Sequence, residues 1–134
     1  MSTVYLCGPI QHSADRGKGW RQRVKEIDGF EWIDPLEKYD NSCDESEEWS
    51  NTKIVEEDLS LIDRADAILV HWEEVPTCGT PMELRYAHEW LTPVVAQTTV
   101  PTERLSPWFT YHVDVIEETF EDACFALDDV LKHR

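Results

Sequence analysis

Short apolar runs alternate with amphipathic stretches along this chain. Residues 2–7 form a β-rich apolar run that ends at a Gly-Pro turn, and residues 30–33 form a second, shorter run. Residues 67–72, with the sequence AILVHW, are apolar almost throughout, which predicts a central parallel strand buried on both faces. Two later runs, at 93–96 and 112–116, complete a set of five predicted strands.

Between these runs, apolar residues recur at the spacing of a helix face. The stripe of Trp20, Val24 and Ile27 predicts the first helix, and similar stripes follow Thr52, Thr80 and the last strand. Strands that alternate with helices predict a parallel sheet. We therefore expect a single α/β domain over residues 1–134: a doubly wound, flavodoxin-like or Rossmann-like sheet of five parallel strands with helices on both faces.

The most polar part of the chain separates the second strand from the next helix. Residues 37–51 follow neither the helix period nor the strand period, and this stretch is predicted to be a loop. A loop of this length in a compact domain is usually functional. Tyr39 and Trp49 would allow it to cover an apolar ligand.

Acidic residues dominate the charge of the chain. Its 12 Lys and Arg stand against 28 Asp and Glu, which gives a net charge of −16. This balance disfavours nucleic acid polymers and anionic membranes as partners, and it is typical of proteins adapted to molar salt, where charge repulsion is screened. The chain carries neither a signal peptide pattern nor an apolar run of membrane-spanning length, so a cytoplasmic location is expected.

Familiar cofactor and metal motifs are absent. The sequence contains no GxGxxG, GxxxxGK[ST], GxSxG or HExxH motif, and its four cysteines lack the spacing of a zinc site. We therefore expect neither a metal nor a cofactor. The first helix region does carry five basic residues, which either form a solvated face that balances nearby acids or contact an anion near the first loop: Arg16, Lys18, Arg21, Arg23 and Lys25.

Carboxylates remain as the candidates for chemistry. Glu83 begins a predicted helix just beyond the carboxyl end of the central strand, where open α/β sheets bind their ligands. Thr80-Pro81-Met82-Glu83 fits a capping box. If that carboxylate is instead unblocked, the helix dipole favours its ionised form, which suits a nucleophile. Asp58 lies on the apolar stripe of the preceding helix, so it must be paired, hydrogen-bonded or in contact with a ligand.

Four segments together resemble one known family. The segments YLCGPI at 5–10, DLSLIDRADAILV at 58–70, CGTPMELRYAH at 78–88 and LSPW at 105–108 are similar to the nucleoside 2-deoxyribosyltransferase family, including its nucleotide N-hydrolase branch. The resemblance implies that Glu83 is the nucleophile and attacks the anomeric carbon of a 2′-deoxynucleoside.

The same resemblance implies further roles. Tyr5 matches the tyrosine that holds the nucleophilic carboxylate, and Asp58 matches an acid near the base or the deoxyribose. LSPW matches a loop that completes the pocket of a neighbouring subunit, so a homodimer or higher assembly is expected. The residues that would contact substrate are Gly8, Pro9, Ile10, Arg16, Glu73, Glu74, Gly79, Met82, Ser106 and Trp108.

Three functions are compatible with these features. The first is transfer of deoxyribose from one base to another, and the second passes the same intermediate to water, as in a deoxynucleoside or deoxynucleotide N-hydrolase. The third is a non-catalytic nucleotide or nucleoside sensor. Two departures from the family pattern stand out: the first loop lacks the Gly-Gly run of the hydrolase branch, and Arg85 occupies a position that is usually Gly.

Overall fold

The computed structural model describes residues 1–40 and 50–133. These residues form a five-stranded sheet in the order β2-β1-β3-β4-β5, and all neighbouring strands are parallel. The strands are β1 (Ser2–Cys7), β2 (Phe30–Ile33), β3 (Ala67–His71), β4 (Val94–Gln97) and β5 (Val115–Glu117). The helices are α1 (Lys18–Lys25), α2 (Glu37–Asp40), α3 (Asn51–Asp63), α4 (Gly79–Glu89), α5 (Pro107–Tyr111) and α6 (Phe120–Lys132).

The central strand β3 is buried on both faces, as its continuous apolar run predicts. Ile68 and Val70 face the core beneath α3, α4 and α5, whereas Ala67 and Leu69 face the core beneath α1 and α6. All four side chains are fully buried. Since successive residues of a strand point to opposite faces, two cores require apolar residues at every position. The predicted doubly wound α/β fold is confirmed.

Several predicted boundaries are wrong. The stretch 105–111 contains a short helix, α5, because the Ser106 side chain accepts a bond from the Trp108 backbone N–H and Pro107 fits the first helical position. The last strand therefore begins at Val115, later than predicted. The predicted loop is also helical at Glu37–Asp40.

The proposed cover of an apolar ligand lies outside the described residues, since they include neither Trp49 nor the side chain of Tyr39. Within the described ranges, no helix is long and apolar enough to cross a membrane.

Candidate active site

Glu83 lies against the carboxyl end of β1. Tyr5 and Cys7 are alternate residues of β1, so both point to the face that α4 covers. The Tyr5 hydroxyl donates a hydrogen bond to Oε2 of Glu83, and the Cys7 Sγ lies 3.9 Å from Oε1. Tyr5 and Cys7 are each only 1% exposed. The structure therefore brings the predicted pair of Tyr5 and Glu83 together and adds Cys7, which its spacing of two from Tyr5 could have indicated.

Burial changes the acidity of this carboxyl group. The pKa of Glu83 is raised to about 7, chiefly because burial disfavours the charged form. The hydrogen bond from Tyr5 works in the opposite direction, since it stabilises the carboxylate. Among the nearby charges, that of Asp58 raises the pKa of Glu83, whereas those of Arg21 and Lys38 lower it. Near neutral pH the group is therefore present in both protonation states.

The capping-box prediction for Glu83 is wrong. Helix α4 begins at Gly79, its N-cap residue is Cys78, and no side chain caps it, so Glu83 lies in the second turn. Its carboxylate accepts a bond from Tyr5. Burial raises the pKa of Glu83, which is opposite in direction to the effect expected of the helix dipole.

Asp58 is paired, as its position on an apolar helix face requires. The Lys38 ammonium group, on α2, forms an ion pair with Oδ1 of Asp58, on α3. Both side chains are partly buried, with 14% of Lys38 and 24% of Asp58 exposed. Sequence reasoning missed Lys38, since it lies in the polar stretch that shows no periodicity.

Arg21 binds the backbone of β1 and of the first loop. It is fully buried, and its guanidinium donates to the carbonyl oxygens of Leu6, Gly8 and Gly17 at 3.4, 3.2 and 3.0 Å. Burial lowers the pKa of Arg21, and Asp34 opposes this effect most strongly. A solvated face is therefore wrong for Arg21. Its spacing of three from Val24, on the core stripe, could have indicated burial.

The first loop packs closely on this framework. Gly8 and Pro9 are buried, and Ile10 is half-buried. A Cβ atom at Gly8 would lie 2.7 Å from the Trp20 ring, so glycine is required for this close approach. Gly79 has a different setting, since a Cβ atom there would lie 3.9 Å from Oε1 of Glu83. Glycine at 79 therefore leaves space beside the carboxylate.

Two backbone N–H groups at the N-terminus of α1 already have an acceptor within the protein. Asp15 accepts hydrogen bonds from the backbone N–H groups of Gly17 and Gly19, at 3.0 and 2.8 Å. These bonds, that of Gly19 first, lower the pKa of Asp15. Arg16 is exposed and adopts a left-handed backbone conformation with φ of 60°. A carboxylate of the protein itself thus caps the N-terminus of α1.

Glu73 and Glu74 bind other residues of the protein. Glu73 lies 2.8 Å from Nε2 of His71, whose Nδ1 lies 2.5 Å from the side-chain oxygen of Gln97. Glu74 pairs with the Arg104 guanidinium. The His71 ring packs against Trp20, with 5.0 Å between the ring centroids, and Trp20 belongs to the core on the other face of the sheet from Tyr5 and Cys7. The structure therefore does not bring either acid into contact with Glu83.

Met82, Ser106 and Trp108 lie on the outer side of α4 and α5. Met82 and Trp108 are 67% and 78% exposed. Ser106 and Trp108 line a cleft of about 460 Å³ between the two helices, together with Trp72, Pro81, Leu84, Arg85, Phe109 and His112. The Arg85 guanidinium lies 3.2 Å from Nε2 of His112 and pairs with Glu89. The contacts of Glu83 described above, with Tyr5 and Cys7, do not involve these residues.

The assembled groups suit nucleophilic chemistry. A carboxylate held by a buried tyrosine, with an Asp–Lys pair nearby, can attack an electrophilic carbon and stabilise the charge that develops. Among residues 1–40 and 50–133, no group of three or more His, Cys, Asp and Glu residues could hold a metal ion.

Several solved structures share this fold. A conserved protein from Enterococcus faecalis V583 gives a TM-score of 0.73 at 18% identity, covering 100% of this chain and 99% of that protein. The 2-deoxyribosyltransferase of Bacillus psychrosaccharolyticus gives 0.74 at 19% identity, covering 90% and 89%. The 2-desoxiribosyltransferase from Leishmania mexicana gives 0.68 at 21% identity, covering 100% and 99%. At these identities the likeness concerns the fold.

Sequence comparison identifies the family. No significant match was found among curated proteins. The sequence profile described as Nucleoside 2-deoxyribosyltransferase, however, matches residues 4–123, which include most of β1, all of α4 and the first part of α6. The chain therefore belongs to the nucleoside 2-deoxyribosyltransferase family.

Proposed function

We propose that this protein cleaves the N-glycosidic bond of 2′-deoxynucleosides through a covalent deoxyribosyl ester of Glu83 and transfers the deoxyribose to a second base. The observation that carries the proposal is the Glu83 carboxylate, which Tyr5 holds at the carboxyl edge of a parallel sheet. Family membership and the two similar structures described as deoxyribosyltransferases support the same reaction class.

The first step forms the ester. An oxygen of Glu83 attacks C1′ of the deoxyribose, and the C1′–N bond breaks as its electron pair moves to the departing base, which then takes a proton from water. Oε1 is the better placed oxygen, because Oε2 accepts the Tyr5 bond and Gly79 leaves space beside Oε1. A pKa of about 7 leaves a large ionised fraction of Glu83 at neutral pH.

The second step releases the enzyme. A ring nitrogen of an incoming base attacks C1′, the ester bond breaks, and its electrons return to Glu83 as a carboxylate. The incoming base loses its proton to water. The buried Tyr5 hydroxyl stays protonated throughout, since burial and the charge of Glu83 hold the pKa of Tyr5 well above its usual value. Tyr5 therefore remains a donor to Oε2 of Glu83, both in the carboxylate and in the ester.

The capped first helix favours a substrate without a 5′-phosphate. In α/β folds the N-terminus of the helix after the first strand is a common phosphate site. Here the Asp15 carboxylate takes the two backbone donors at that position. A phosphate would have to displace it against charge repulsion, so a nucleoside is the better fit.

A base-exchange assay tests the reaction. The protein is incubated in molar salt with a 2′-deoxynucleoside and a different free base, and the products are separated by chromatography. We expect a new deoxynucleoside that contains the added base. Release of free deoxyribose at a rate that does not depend on the concentration of the added base would instead establish hydrolysis. The corresponding 5′-monophosphate, run in parallel, is expected to react more slowly, and a faster reaction would contradict the role given to Asp15.

An assembly of two or more copies belongs to the same proposal. The outer side of α4 and α5 exposes Met82, Trp108 and Tyr111, each more than 60% exposed, beside the cleft at Ser106. Large exposed apolar side chains that lie together usually mark an interaction surface. In the proposed dimer this surface meets its equivalent, and residues 105–108 of one copy complete the pocket of the other.

Trp108→Glu is expected to separate the copies. A charge in the centre of an apolar interface is strongly unfavourable when it is buried without a partner. Light scattering should therefore report a dimer or larger assembly for the parent protein and a monomer for Trp108→Glu, with a loss of activity. Phe125→Glu is the matched control, since Phe125 is 76% exposed on α6, and it should keep the parent mass. A monomeric parent would contradict the assembly.

A further inference from the structure

Lys38 follows the carboxyl end of β2, at the same edge of the sheet as the carboxyl end of β1. Strand β2 pairs with β1, and Lys38 follows the carboxyl end of β2 by five residues. Its ammonium group pairs with Asp58 on α3. Three elements, α2, α3 and α4, thus contribute Lys38, Asp58 and Glu83 to one cluster of interacting charges. Lys38 is partly buried there, with 14% of its side chain exposed.

The charges at this edge favour a role for Lys38 in bond cleavage. Glu83 and Asp58 are both acids, and Lys38 is a cation close enough for its charge to lower the pKa of Glu83. Breaking the C1′–N bond moves an electron pair onto the base. A preorganised cation in a partly buried site stabilises developing negative charge far better than water does.

We propose that Lys38, held in place by Asp58, is the catalytic residue that stabilises the departing base. As the C1′–N bond breaks, the Lys38 ammonium donates a hydrogen bond to an acceptor atom of the base and neutralises the developing negative charge. The ammonium keeps its proton, and the released base takes one from water. Asp58 is a positioning residue in this step, since its carboxylate fixes the ammonium group.

This proposal rests on the proposed glycosidic reaction and makes a separate claim about leaving groups. If Lys38 stabilises charge on the base, its loss must matter more for a base that carries negative charge poorly. A merely structural ion pair between α2 and α3 would affect every substrate by the same factor. The ratio of two rates therefore distinguishes the two roles.

The test compares substrates that differ by one electron-withdrawing atom. Suitable pairs are 2′-deoxyuridine with 2′-deoxy-5-fluorouridine, or 2′-deoxyadenosine with 2′-deoxy-2-fluoroadenosine, whichever the parent accepts. Lys38→Met is expected to lower kcat about a hundredfold for the unsubstituted substrate and about tenfold for the fluorinated one. Lys38→Arg, which keeps the positive charge, should restore the parent ratio.

Lys25→Met is the matched control. Lys25 is also partly buried, with 21% of its side chain exposed, and it pairs with Asp34 and Glu37. Its removal should leave the ratio between the two substrates unchanged. If the parent cleaves both substrates and Lys38→Met loses activity by the same factor on each, the proposed role of Lys38 is wrong. A parent that cleaves neither substrate overturns the proposed function itself.

Discussion

Glu83→Gln is expected to lower kcat by about a thousandfold or more while the protein stays folded. Gln has nearly the same shape as Glu, and its side-chain oxygen can still accept the bond from Tyr5. It cannot form the glycosyl ester, because an amide oxygen is a poor nucleophile. Base exchange should therefore fall to background in the assay, and mass spectrometry should find no deoxyribosyl adduct on the variant.

The same substitution is expected to stabilise the fold at alkaline pH. The pKa of Glu83 is raised from 4.5 to about 7, so the folded protein binds more protons than the unfolded chain between these values. Stability is therefore lost as the pH rises from 4.5 through about 7, because the half-buried carboxyl group must then ionise in the folded protein. Gln has no such cost, and the Tm of Glu83→Gln should exceed that of the parent at pH 8 by more than at pH 5.

Glu83→Ala separates catalysis from binding. If the variant folds, binds the same deoxynucleoside in a calorimeter and cleaves it as fast as the parent, Glu83 is not the nucleophile. If the parent and Glu83→Ala both bind a nucleoside and neither turns it over, the protein is a sensor. The retained fold is checked in both variants by circular dichroism, since Glu83 lies within α4.

The sheet could be predicted from the sequence because its signals are local. The run AILVHW fixes a strand buried on both faces, and the observed cores on either side of β3 follow from it. Element ends were less predictable. The start of α5 depends on a Ser106 cap and Pro107, a signal that a loop-like composition concealed.

Only one contact of the site was predicted, and the family resemblance alone implied it. Tyr5 and Glu83 meet because the Tyr5 side chain points from β1 to the face of the sheet that α4 covers. The ion pair between Lys38 and Asp58 joins residues 20 positions apart through tertiary structure. Periodicity cannot predict such a contact. The raised pKa of Glu83 was missed for a similar reason, since burial depends on the packed structure.

Tyr5→Phe is expected to move the pH dependence of the reaction. The ionised form of Glu83 is the nucleophile, so kcat/KM should rise with pH through about 7 in the parent. The Tyr5 bond stabilises the carboxylate and thereby lowers the pKa of Glu83. Its loss raises that pKa, and the rising limb of the profile should move to higher pH.

The size of the effect should therefore depend on pH. Tyr5→Phe is expected to reduce kcat/KM on the order of a hundredfold at pH 6 and by a smaller factor at pH 9, where Glu83 is ionised in both proteins. Tyr86→Phe provides the control, since the Tyr86 hydroxyl donates to Asp63 on α3 and makes no contact with Glu83 among the described bonds. It should keep the parent profile. An unshifted limb in Tyr5→Phe, with rates reduced equally at every pH, would show that Tyr5 positions Glu83 without tuning its ionisation.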